Sequence, residues 1–160
     1  MGNNPDTSNY GNDASLYSWY QPGVSQIRSF IKFDLSNMPS FSQINSAIFY
    51  IRGLSWHIYD SNVSPATVAI KKITSSWGEQ TIKWNNQPNI GSTITTKAIN
   101  SDGWQDFDIT STVNNWLRGT ETNYGITVML YQESGNQQCT FHSSDVSGTT
   151  QPKIVIKYTK

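Results

Sequence analysis

The sequence predicts an all-β chain, a jelly-roll β-sandwich with one short helix at about 109–118. Three observations carry this. Short stretches in which every second residue is apolar recur along the chain, Gly, Asn, Ser and Pro separate them at regular spacing, and a single segment shows the helical period. Alternation marks a strand because successive side chains point to opposite faces of a sheet, so a half-buried strand reads apolar on one side only. Many such strands with turn signals between them pack as a sandwich or jelly roll.

In chain order, SFIKFDL sets Ile31, Phe33 and Leu35 on one side, and SAIFYIRG does the same with Ala47, Phe49 and Ile51. SNMPSFSQ between them supplies turn chemistry around Pro39. TVAIKKI alternates Val68 and Ile70 and then breaks register at Lys71 and Lys72, which predicts a bulge before Ile73. GWQDFDI presents Phe107 and Ile109, and GITVMLY presents Ile126, Val128 and Leu130. CTFHS follows with Cys139 and Phe141, then PKIVIKY with Ile154, Ile156 and Tyr158. DITSTVNNWLRG differs: Ile109, Val113, Trp116 and Leu117 fall on one helical stripe, with Thr110 or Ser111 available as N-cap and Gly119 as the stop. Such a helix covers an open end of the sandwich and turns Trp116 inward. No repeat, linker or low-complexity tract interrupts the chain, so 1–160 reads as one domain, with 1–13 as an irregular N-terminal arm of turn formers.

Composition narrows the partners. The chain is long enough to bury a substantial core without staples. Lys plus Arg equal Asp plus Glu at 11 each and no run of like charge exists, so nothing attracts nucleic acid or an anionic membrane surface. A surface rich in Ser, Thr, Asn and Gln but poor in charge suits neutral, hydroxyl-rich partners or copies of itself. No stretch approaches the ~20 apolar residues of a membrane span, so membrane insertion is not expected. The start MGNNPDTSNYG carries no signal peptide; an extracellular or cell-surface location then implies that a signal or a larger parent was removed, or another route. The single Cys139, among apolar neighbours, behaves as a small buried hydrophobe.

The stretch SSWGEQTIKWNNQP, residues 75–88, could be a sugar platform or scaffold. Ile82 and Trp84 share a face by alternation, and Asn85, Asn86, Gln87 and Pro88 make a turn whose amides can satisfy backbone groups. Core and turn is the stronger reading. Catalysis finds no support: no two carboxylates are set apart by spacing as a glycosidase pair, held ~5 to 9.5 Å apart, would require. No nucleophile elbow accompanies His57 or His142, and two His with one Cys give no zinc spacing. The chain is therefore expected not to be an enzyme and to require no cofactor.

RSFIKFDLSNMP, SAIFYIRG, ITSSWGEQTIKWNNQP, GWQDFDITSTVNNWLRG, NYGITVML and QPKIVIKY occur in the order and spacing of the DNRLRE-domain family. That family, also called disaggregatase-related repeats, is grouped with carbohydrate-binding modules, and the chain resembles it from Asn9 onward. The resemblance implies a β-jelly roll of surface and secreted proteins, often beside polysaccharide-degrading modules, without catalytic activity. It also implies that the tryptophan-rich segment is scaffold and that Trp104 stands where the family has Trp. Members usually carry a D-x-Y-V strand upstream of the NYG element, which is missing here. A missing first strand would leave an open sheet edge able to accept another chain, hence a homo-oligomer.

Aromatics left over by the core pattern are the ligand candidates. Tyr17, Trp19 and Tyr20 in LYSWYQPG, Trp56, His57 and Tyr59 in LSWHIYD, and Trp104 in DGWQ lie at or beside predicted turns. Of these, Trp19, Tyr20, Trp56, Tyr59 and Trp104 are taken as ligand-binding, since a ring stacks on the apolar face of a pyranose. Structural calcium, if held, would use the oxygen-rich arm through Asp6 and Asp13. Two functions follow. The first is a non-catalytic carbohydrate-binding module or cell-surface glycan-binding domain, with a polysaccharide or surface glycan as partner. The alternative is a self-associating structural or adhesive subunit of a surface layer, spore coat or filament.

Overall fold

The computed structural model describes residues 8–41, 43–58 and 66–160. The strands are β1 (Ser15–Gln21), β2 (Ser25–Ile27), β3 (Ser29–Ile31), β4 (Gln43–Ile58), β5 (Ala66–Ile73), β6 (Ile90–Ile99), β7 (Gly103–Asp108), β8 (Ile126–Leu130), β9 (Gln137–His142) and β10 (Lys153–Thr159). One helix, α1 (Thr110–Leu117), follows β7. All pairings are antiparallel, in a six-stranded sheet of β1, β2, β4, β7, β9 and β10 and a four-stranded sheet ordered β3-β8-β5-β6. The result is the β-sandwich that the alternation predicts.

Strand β4 is the spine of the larger sheet. Its first half pairs with β10, its middle with β7 and its end with β9. Gly53 is matched both to Gly103 and to Phe141, so β7 runs along one edge of β4 while β9 and β10 share the other. At Gly53 a Cβ would stand 3.3 Å from the Gly103 carbonyl oxygen, a close approach that glycine permits.

The inward residues are those the period-2 pattern selects. Ala47, Phe49 and Ile51 meet Phe107, Phe141, Val68, Ile70 and Val128 in one buried cluster. Phe49 has Phe107 stacked at 6.1 Å between ring centroids and Phe33 edge-on at 5.7 Å. Burying each phenylalanine contributes about 1.5–3 kcal/mol. The register shifts around Lys71 form the expected bulge. Val113 is buried, while Trp116 and Leu117 pack on the core from the helix.

Four expectations need correction. SFIKFDL leaves its ladder after Ile31, because Asp34 Oδ1 accepts the Ser36 N–H and begins a turn, although Phe33 and Leu35 still reach the core. The N-cap position of α1 is Ile109 rather than Thr110 or Ser111; the Asp108 carboxylate accepts the Thr110 N–H at 2.9 Å from outside the helix. LYSWYQPG is a strand except at its end, and LSWHI prolongs β4, so neither segment is a turn. The ten-residue β6, which no alternation had marked, forms one edge of the smaller sheet. Gly119, at φ 70°, ends the helix as expected.

Candidate functional site

The outer face of the six-stranded sheet collects the surplus aromatics. In β1, Leu16, Ser18 and Tyr20 point inward: Ser18 Oγ donates to the Val128 carbonyl across the sandwich at 2.9 Å, and Leu16 and Tyr20 pack on the core. Tyr17 and Trp19 therefore point outward. Register carries this face across the sheet. Ile27, Trp19, Gln138 and His57 form one row over β2, β1, β9 and β4. Tyr17, Thr140 and Ser55 form the next.

Further along β4 the same face carries Tyr50 and Arg52, matched to Asp106 and Trp104 on β7, with Lys153 of β10 opposite Tyr50. Trp104 is 39% exposed, and Lys153 Nζ lies 5.0 Å from its ring centroid. Trp19 and Trp104 are three strands and about four strand steps apart, roughly 20 Å at ~4.8 Å between strands and ~3.3 Å per residue. Hydroxyls, an amide and an imidazole lie between or beside the two rings.

The charges of this face are unevenly satisfied. Lys97 Nζ bonds the Asp106 carboxylate at 2.6 Å and holds it below its ordinary range. Arg52 and Lys153 have no carboxylate within ion-pair distance among the described residues. The Trp19 indole N–H is covered and has no acceptor among them.

Of the five predicted ligand residues, the structure brings Trp19 and Trp104 to one face. Tyr20 and Trp56 turn inward: a bulge between Gly53 and Ser55 shifts the phase of β4, sets Trp56 opposite buried Cys139 and packs it on the core. Tyr59 lies outside the described residues, as does Asp6. Asp13 Oδ1 accepts the Ser15 N–H at 3.0 Å. No group of three or more His, Cys, Asp or Glu suited to a metal occurs among the described residues. Sequence reading missed Tyr50, Arg52, Ser55, Gln138, Thr140 and Lys153; all but Ser55 carried one signal, the outward phase of strands whose inward phase was recognised, while Ser55 faces outward only through the bulge after Gly53. Burial pushes the Cys139 thiol up to about 12, which leaves it without nucleophilic character.

The stretch 75–88 wraps the corner of the smaller sheet. Trp77 donates its N–H to the Tyr124 carbonyl at 2.7 Å and tilts against Phe30, which is scaffold as expected, but Ile82 and Trp84 do not share a strand face: the chain turns there into a 3-10 helix, Trp84–Asn86, and neither residue joins the core. Asn9 Nδ2 donates to the Glu79 and Ile82 carbonyls, so the arm is tied to this loop. No described helix is long and apolar enough to cross a membrane. Compared with known families, residues 2–158 match carbohydrate-binding module family 96. No curated protein matches the chain.

Proposed function

We propose, since this chain belongs to carbohydrate-binding module family 96, that it is a non-catalytic glycan binder working through the outer face of its six-stranded sheet. The observation carrying the reading is the alignment of Trp19 and Trp104 on one face, with Tyr17, Ser55, Thr140, Gln138 and His57 between or beside them. A ring covers the apolar side of a pyranose, and neighbouring hydroxyl, amide and imidazole groups exchange hydrogen bonds with its hydroxyls. Strands hold these groups rigidly, so little ordering opposes binding. The resemblance of several motifs to DNRLRE domains points to the same class, and placement on a surface or secreted protein accords with it. Nothing in the family match supports a self-associating structural subunit instead.

Affinity electrophoresis tests the reading. The protein is run through gels containing β-glucan, xylan, pectin or alginate, against a non-binding standard. Retardation by at least one polymer, lost in a Trp19→Ala/Trp104→Ala double variant that still melts cooperatively, is the expected result. Free migration in every gel would count against glycan binding, and retardation indifferent to the double variant would move the site elsewhere. Arg52 and Lys153 add that retention by the acidic polymers should weaken as salt is raised, because exposed charges are screened.

A further inference from the structure

We propose a second glycan subsite, in the open depression beside Arg28 and the 3-10 turn Trp84–Asn86, that takes one neutral pyranose unit; it rests on the reading of the chain as a glycan binder. The depression has a volume of about 400 Å³ and is lined by Arg28, Trp84, Asn85, Gln87 and Asn89, together with Pro88 and Ile90. It belongs to the corner where the chain crosses from β2 to β3 and to the β5–β6 connection, and shares no residue with the sheet face described above.

The ring at this site is held in place. Arg28 Cζ lies 5.3 Å from the Trp84 ring centroid. Its Nε and Nη2 bond the two Glu133 carboxylate oxygens at 2.7 Å each, and its Nη1 donates to Gln87 Oε1 at 3.3 Å. Gln87 Nε2 in turn donates to the Trp84 carbonyl at 3.1 Å. Guanidinium and carboxylate are both mostly covered, with side-chain exposures of 22% and 18%. A two-point ion pair of this kind fixes the guanidinium plane, and the plane fixes the indole.

The four side-chain amides of NNQPN divide into two kinds. Asn86 and Gln87 are used by the turn: Asn86 accepts the Lys83 N–H and donates to the Thr81 carbonyl, and Gln87 bridges Trp84 and Arg28. The exposed side chains of Asn85 and Asn89 make no hydrogen bond with the described residues. Turn formation explains the first two and leaves the others over. Each free amide can both donate and accept, as a sugar hydroxyl requires. The single charged lining residue, Arg28, is neutralised by Glu133, so the depression has no excess charge to bind an acid. An aromatic ring, two free amides and balanced charge match a neutral sugar. Two separate subsites would let one polymer engage the chain twice, raising avidity without new contacts.

Protein labelled with 15N at tryptophan is titrated with the methyl pyranosides of glucose, mannose, galactose and xylose, and the six indole N–H signals are followed, Trp84 being assigned from Trp84→Phe. The expected result is a saturable shift of the Trp84 signal with at least one glycoside. That shift should weaken about fivefold or more in Asn85→Ala/Asn89→Ala, the loss of about 1 kcal/mol of hydrogen bonding, while melting stays that of the parent. A Trp84 signal unmoved by all four sugars, or a titration unchanged by the amide substitutions, overturns the second subsite. If Trp19 or Trp104 responds and Trp84 does not, only this inference falls. If no tryptophan responds and no polymer retards the protein, the glycan-binding reading falls with it.

Discussion

Replacing Trp104 by alanine separates a binding role from a structural one. The ring is 39% exposed, with the Lys153 ammonium 5.0 Å from its centroid. A tryptophan offers at most ~250 Å², so about 100 Å² is open to a ligand. A sugar lying on one face covers about half of that, which at ~25 cal/mol per Å² is about 1.2 kcal/mol. The expected loss is about eightfold in Kd. Stability should fall as well, since the roughly 150 Å² of the residue that is already covered is worth up to about 3.8 kcal/mol at the same ~25 cal/mol per Å², or a Tm lower by up to about 15 °C in a chain of this length with cooperative melting kept. Isothermal titration with an oligosaccharide of whichever polymer retards the protein reads the first quantity, and calorimetry the second. An affinity within twofold of the parent would refute the reasoning about this ring. Loss of the cooperative melting transition would show instead that Trp104 is scaffold.

Three more outcomes follow. Phe49→Ala removes a fully buried ring packed on Phe33 and Phe107; about 3–5 kcal/mol should be lost, seen as a Tm lower by roughly 6–20 °C, and a drop under 3 °C would contradict the core assignment. Hydrogen bonds from the Thr110 hydroxyl and N–H hold the Asp108 carboxyl below its ordinary range, and the ion pairs with Lys97 and Lys72 do the same for Asp106 and Glu121. Their folded pKa values lie below the unfolded ones, so their stabilisation is complete above the unfolded value of about 4 and is lost as pH falls through the folded values. Tm should be level from about pH 5 to 8 and fall below pH 4, less steeply in Asp108→Asn; an equal slope in that variant would refute the role of the Asp108–Thr110 hydrogen bonds. Cys139, buried with its thiol pushed up to about 12, should resist iodoacetamide at pH 8 until the protein is denatured; stoichiometric labelling of the folded protein would contradict its burial.

The inward half of each strand was readable because burial imposes a period of two, as Ala47, Phe49 and Ile51 or Ile126, Val128 and Leu130 show. β1 escaped notice because Ser18 occupies an inward position that apolar residues usually take, its hydroxyl satisfied by the Val128 carbonyl. Trp56 was misplaced for a different reason. A bulge inserts one residue and reverses the phase beyond it, and nothing in GLSWHI announces the break between Gly53 and Ser55. The binding face was the least legible part. Outward residues answer to no packing pattern, and only register brings Tyr17, Ser55 and Thr140 into one row from three distant segments. In the tryptophan-rich loop, sequence correctly gave the turn but not the division of amides between turn and depression, which depends on where Arg28 and Glu133 meet.

Backbone amide shifts mapped by NMR during titration with an oligosaccharide of the retarding polymer test the central claim most directly. The account predicts a contiguous set of shifted residues on the outer face of the larger sheet, running from Trp19 and Gln138 through Tyr17, Thr140 and Ser55 to Arg52 and Trp104. Shifts confined to the smaller sheet or to the loops at the ends of the sandwich, with this face unmoved, would contradict it.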